Sequence, residues 1–141
     1  MATGLRARMQ AGEVLAGTFL KTPAHELVEV LAGTGLDFLC LDAEHAPFDR
    51  ARADAVLAMA RALGLPALMR VPWARPEWVQ FALDAGAVGI VVPHVSDAAT
   101  AAEVARAARF GPGGRGFAGS TRWAGFGGQD MATLLARSAE E

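Results

Sequence analysis

Four short apolar runs begin near residues 14, 37, 66 and 88, and each leads into a segment with helical periodicity. The spacing, about 22 to 29 residues, is the length of a βα unit. The first run, Val14 to Leu20, is followed by Thr22-Pro23 as N-cap and first helical position. The helix predicted from Ala24 to Ala32 has Leu27, Val28 and Leu31 on one face, and Gly33 and Gly35 end it. The second run, Phe38-Leu39-Cys40-Leu41, is continuous, as in a parallel strand covered on both faces, and closes on Asp42. Asp49 is placed to cap a helix running through Leu63, with Gly64 as its stop. The third run, Ala67 to Val71, ends at Pro72, and Pro76 opens a helix that stops near Gly86. The fourth, Val88 to Val92, ends at Pro93, and Ser96 is the predicted cap of an alanine-rich helix reaching about Arg109.

A βαβαβαβα order gives a parallel sheet with right-handed crossovers, and both an open doubly wound sheet and a (β/α)8 barrel satisfy it. A barrel takes about 200 residues or more, so four units are half of one. Residues 110–128 hold eight glycines, a final helix is predicted from Met131 to Arg137, and no fifth strand is read. Residues 1–141 are read as a single partial domain, with the 52% hydrophobic content that a buried core requires.

Charge removes several classes of function. Thirteen Lys plus Arg against fifteen Asp plus Glu leave a net charge of −2, scattered along the chain, so neither nucleic acid nor an anionic membrane is an expected partner. No apolar stretch approaches the roughly 18 to 20 residues of a membrane span, and Glu13 interrupts the N-terminal segment where a signal peptide needs its apolar block. A cytoplasmic location is the expectation. The single cysteine, Cys40, reads as a small buried hydrophobe. Lys21 is the sole lysine and therefore the sole amine available for Schiff-base chemistry.

In parallel α/β folds ligands gather beyond the C-terminal ends of the strands. That filter selects Lys21 after the first run; Asp42, Glu44 and His45 after the second; Arg70 at the end of the third; and His94 after the fourth. Two carboxylates and an imidazole within four residues suit a histidine base whose tautomer a carboxylate fixes. They also suit a turn cap with solvated neighbours. Arg70, closing an apolar strand, requires an anion: a substrate oxygen, or Asp42 or Glu44 as a structural partner. His94 by itself reads most simply as a loop residue. Gly111 to Gly116 spells G-x-G-x-x-G, but it follows a helix and precedes no helix, so no nucleotide cofactor is expected. That loop reads as flexible or lid-like, with Arg115, Ser120 and Arg122 as possible substrate contacts. One short acidic loop is a poor source of three metal ligands, and no second acidic cluster follows it.

Leu41-Asp42-Ala43-Glu44-His45-Ala46-Pro47, Arg70-Val71-Pro72-Trp73, Leu83-Asp84-Ala85-Gly86-Ala87 leading to Val91-Val92-Pro93, and Gly113-Gly114-Arg115-Gly116 occur in that order. Together they resemble the HpcH/HpaI aldolase family, the metal-dependent 4-hydroxy-2-oxoheptanedioate and 2-dehydro-3-deoxy-sugar-acid aldolases, over roughly residues 10 to 128. The resemblance implies the N-terminal half of a (β/α)8 TIM barrel and an oligomer of identical chains. It also implies reversible carbon–carbon cleavage of 4-hydroxy-2-oxo acids to pyruvate and an aldehyde. By resemblance His45 is the acid/base group, Asp42 orients it, and Arg70 binds the pyruvate enolate oxygen. Glu44 is implied as an outer-shell residue holding metal-bound water, and Asp84 as reaching toward a neighbouring subunit's site. The divalent ion, Mg²⁺ or Mn²⁺, is implied to be held by a Glu and an Asp on the fifth and sixth strands, so no metal ligand is expected among these 141 residues. The alternative is a catalytically inactive truncated paralogue that serves at most as an assembly partner.

Overall fold

A computed structural model of the chain describes residues 4–140. A short helix α1 (Leu5–Gln10), which hydrophobic periodicity did not predict, precedes strand β1 (Gly17–Leu20). There follow α2 (Glu26–Ala32), β2 (Phe38–Asp42), α3 (Arg50–Ala62), β3 (Ala67–Arg70), α4 (Pro76–Asp84), β4 (Gly89–Val91), α5 (Ala98–Ala108) and α6 (Met131–Glu140).

Where expectation and structure differ, local hydrogen bonding explains the shift. The Ala24 amide bonds to the Thr22 carbonyl at 2.8 Å, so Thr22 and Pro23 form a turn and α2 starts only after His25. The cap of α5 is Asp97 in place of Ser96: its carboxylate accepts from both the amide and the hydroxyl of Thr100, three residues on, where a capping side chain meets the orphan amide. Asp130 does the same for α6 through Thr133, and α6 runs past Arg137. Asp49 caps α3 through the Arg52 amide at 2.8 Å, and Pro76 occupies the first turn of α4, both as predicted.

The strands form one parallel sheet in the order β1-β2-β3-β4. A doubly wound sheet reverses its strand order at a switch point, and no reversal occurs here, so the four units trace an arc of barrel. Period-two alternation then divides the sheet into two faces. Leu39 and Leu41 of β2 and Ala67 and Met69 of β3 join Val28, Val56, Leu57 and Ala60 in the main core, between sheet and helices. The alternate residues, including Cys40, Asp42, Leu68 and Arg70, occupy the opposite, inner face. Glycines on the two outer strands make room there: a Cβ on Gly17 would stand 2.3 Å from the Phe38 ring, and one on Gly89 would stand 2.8 Å from Leu68.

The glycine-rich segment, expected to be flexible or lid-like, is largely exposed and is pinned at a few buried residues. Trp123, Ala124 and Leu134 form a second small core with Phe110. Arg115, only 6% exposed, lies between Phe110 and Trp123, with its guanidinium carbon 4.6 Å and 4.8 Å from the two ring centroids. Its Nε donates to Asp84 at 3.0 Å. Arg122 bonds both oxygens of Asp54 at 2.7 Å and the Ala85 carbonyl at 3.0 Å. Asp84 and Ala85 stand at the C-terminal end of α4, and helices run antiparallel to the strands in a βα unit. These two arginines therefore anchor the segment to the end of the arc away from the strand C-termini. The substrate contact considered for them gives way to a structural role, and Ser120 stays exposed in the same segment. No helix among the described residues is long and apolar enough to cross a membrane.

Candidate active site

The register aligns Asp42 with Arg70 and Arg70 with Val91, so the last residues of β2, β3 and β4 share one row at the C-terminal edge of the sheet. Asp42 is fully buried at the head of this row. An isolated carboxylate there would cost several kcal/mol, and the local sequence supplies the compensation. Arg70 grips it with both arms of the guanidinium fork, Nε to Oδ1 at 3.0 Å and Nη2 to Oδ2 at 2.7 Å. The loop after β2 turns back over the same oxygen, so that the amides of Glu44 and His45 donate to Oδ1 at 3.2 Å and 3.0 Å. Lys21 Nζ lies 3.6 Å from Oδ2. Burial alone pushes the Asp42 pKa upward, but the Arg70 bonds and the two amides outweigh it and hold the group at about 2. The same bonds raise Arg70 above its ordinary value.

Asp42 acts on His45 through the backbone amide, not through the ring. The carboxylate beside the ring is Glu44, with Oε1 3.5 Å from His45 Nε2 and Oε2 3.3 Å from Arg70 Nε. The Glu44 side chain is 10% exposed and that of His45 62%, so a shielded carboxylate stands under an imidazole open to the mouth. His94, which had read as a loop residue, brings its Nε2 to 3.1 Å from the same Glu44 Oε1. The Arg70 guanidinium lies 4.8 Å from the Phe19 ring centroid. Sequence reasoning missed Phe19, although it stands two residues before Lys21 and so shares its face of β1.

Lys21, Asp42, Glu44, His45, Arg70 and His94 are thus brought together from all four strand ends. Asp84 is not among them: Arg115 holds it near the opposite end of α4, and a single chain does not display the intersubunit role that the resemblance implies for it. Burial raises the Cys40 thiol, which keeps it protonated and inert. The donor set does not fit a divalent ion. Both Asp42 oxygens already accept from arginine, and no group of three or more His, Cys, Asp or Glu among the described residues is arranged to hold a metal. What the cluster offers is proton transfer at imidazole and a cation beside a developing negative charge.

Comparison with known proteins places this geometry. The family profile of HpcH/HpaI aldolase/citrate lyase matches residues 15–135. The 4-hydroxy-2-oxovalerate aldolase of Rhodococcus jostii is 43% identical over 102 residues, covering 67% of this chain and 38% of the relative. The 4-hydroxy-2-oxo-heptane-1,7-dioate aldolase of Escherichia coli is 34% identical over 131 residues, 87% of this chain and 49% of the relative. The crystal structure of an HpcH/HpaI aldolase from Desulfitobacterium hafniense superposes with a TM-score of 0.89 at 31% identity, over 99% of this chain and 54% of the other. The chain spans about half the length of the curated relatives it matches. A profile match over most of the residues, a relative 34% identical over 87% of the chain, and the arc of barrel agree: the chain belongs to the HpcH/HpaI aldolase/citrate lyase family.

Proposed function

We propose that the strand-end cluster is the acid/base and oxyanion side of an aldolase site that cleaves 4-hydroxy-2-oxo acids to pyruvate and an aldehyde. The observation that carries this reading is the pairing of an Asp42-locked Arg70 with an open imidazole at His45, both resting on Glu44. In retro-aldol cleavage the C4 hydroxyl gives up its proton, the C3–C4 bond breaks, and its electron pair moves toward C3 and the C2 oxygen. His45 is the base for that proton. Arg70 stabilises the charge arriving at the C2 oxygen, its orientation fixed in advance by Asp42 so that no reorganisation is required during reaction. The proton held by His45 returns to the products as the enolate becomes pyruvate.

A divalent ion, Mg²⁺ or Mn²⁺, is the expected cofactor of the complete enzyme and supplies Lewis-acid stabilisation of the 2-oxo acid oxygens when bound. Its ligands would come from outside the residues described here. Association of identical chains belongs to the same proposal. Among the described residues the outer edges of β1 and β4 have no strand partner, and exposed edges invite pairing or cover. An inactive truncated paralogue is the second reading, and it too is compatible with the absence of a three-residue metal donor group among the described residues.

The two readings separate in a chain completed with the C-terminal half of the Rhodococcus jostii aldolase and assayed for pyruvate release from 4-hydroxy-2-oxovalerate with Mn²⁺. Metal-dependent release by the completed protein, with neither turnover nor tight Mn²⁺ binding by the 141-residue chain alone, is the expected result. A folded but silent completed protein would support the inactive paralogue.

A further inference from the structure

Glu44 serves groups from three strand ends: Oε2 faces Arg70 Nε at 3.3 Å, and Oε1 lies between His94 Nε2 at 3.1 Å and His45 Nε2 at 3.5 Å. The shorter of the two histidine contacts belongs to His94, the residue that carries no role in the reaction as derived above. The backbone of His94 is in the left-handed region, φ 57°, one of two non-glycine residues there among those described. Such a conformation persists in a non-glycine residue where surrounding contacts fix it. Its side chain is 85% exposed, so packing does not hold the ring, and the bond to Glu44 is the contact that does. A carboxylate accepts hydrogen bonds and donates none, so His94 Nε2 must carry the proton, which leaves Nδ1 as the lone-pair nitrogen of the neutral ring.

We propose that His94 is a positioning residue of this site: by donating Nε2–H to Glu44 it holds that carboxylate between Arg70 and the His45 ring. Without it, Glu44 is free to settle on Arg70, the stronger charge partner, and the His45 ring loses its neighbour. The consequence for turnover rests on the aldolase reading, whereas the effect of His94 on His45 does not.

The test uses the 141-residue chain labelled with ¹⁵N-histidine, with ring signals read near pH 8.5, about two units above the ordinary histidine value. The chain has three histidines, and His25, which precedes α2, is the internal reference. Glu44→Ala is expected to move the His94 ring signals. His94→Gly, which suits a positive φ, is expected to move those of His45, and neither change should move those of His25. His94→Asn, which tolerates the same backbone and offers an amide donor, should return the His45 signals part of the way. His94 signals indifferent to Glu44→Ala, or His45 signals unmoved in His94→Gly, would overturn the proposal. In the completed enzyme His94→Gly should lower kcat about 10-fold, at the lower end of what outer-shell partners contribute. An inactive completed enzyme would count against the aldolase reading and leave the ring-signal result standing.

Discussion

The two ends of the barrel arc are built from the same pieces and use them differently. At each end an arginine forks onto an aspartate beside aromatic rings: Arg70 on Asp42 near Phe19, and Arg115 on Asp84 between Phe110 and Trp123. Arg115 is buried and sandwiched, its fork is spent on Asp84, and its charge is consumed in fastening the glycine-rich segment to α4. Arg70 keeps 22% of its side chain exposed, and its neighbour Glu44 also meets two imidazoles that the fold leaves open to solvent. On the proposed reading, the difference between a structural pair and a functional one lies in what stands beside the pair with capacity to spare. An arginine and an aspartate alone do not reveal which is which.

The largest effect expected from breaking this symmetry is on stability. Asp42→Ala strands Arg70 and two loop amides above a buried position, and should cost about 3 to 5 kcal/mol in urea unfolding. Arg115→Ala leaves a partly exposed Asp84 and opens the aromatic sandwich, for a smaller loss of about 2 to 4 kcal/mol. Equal losses would mean that the two pairs are energetically equivalent and that burial of Asp42 is not decisive.

Acid should act next on the Asp42 end. A carboxyl group with a depressed pKa contributes stability above its unfolded value and loses it as pH falls through its folded value. Asp42, at about 2 against an ordinary 3.8, gives that window as roughly pH 4 down to pH 2. The contribution lost there is on the order of 2 kcal/mol. Unfolding free energies measured across this window should fall in the parent chain and fall less steeply in Asp42→Asn, where the lowered carboxyls of Asp37, Asp97 and Asp130 still contribute.

A smaller effect, felt mainly by the ligand, is expected from Arg70→Lys. An ammonium still pairs with Asp42 but cannot also present a planar fork to pyruvate oxygens. Pyruvate affinity of the completed enzyme should drop by at least about 10-fold, and stability by about 1 to 3 kcal/mol as the buried carboxylate loses one arm of the fork. Near-normal pyruvate binding would make Arg70 a structural residue like Arg115.

Much of the fold was legible because its signals are local. Four apolar runs, Pro76 at a helix start and Asp49 as a cap each depend on residues within a few positions of one another. The strand order that decides between sheet and barrel is not local, and the alternation alone left both open. The same division runs through the site. The Asp42-to-His45 motif and the strand-end position of Arg70 marked the mouth, but which carboxylate meets which ring depended on how the loop folds back. Its amides take Asp42 and leave Glu44 for the histidines. His94 carries no local sequence signal, because its partner lies fifty residues earlier and no periodicity links them. Arg115 and Arg122 drew attention as cations in a glycine-rich stretch, and only tertiary packing shows their charges already matched.

The most direct measurement is the ratio of kcat values, per mole of folded protein, for His45→Ala and Arg115→Ala in the completed enzyme. If the strand-end mouth is the working site, His45→Ala lowers kcat by about 10² to 10⁴ with little change in stability, and Arg115→Ala lowers stability with kcat near the parent value. A His45→Ala enzyme that turns over at the parent rate, or an Arg115→Ala enzyme that is folded and equally impaired, would contradict the assignment of the chemistry to the Asp42, Glu44, His45 and Arg70 cluster.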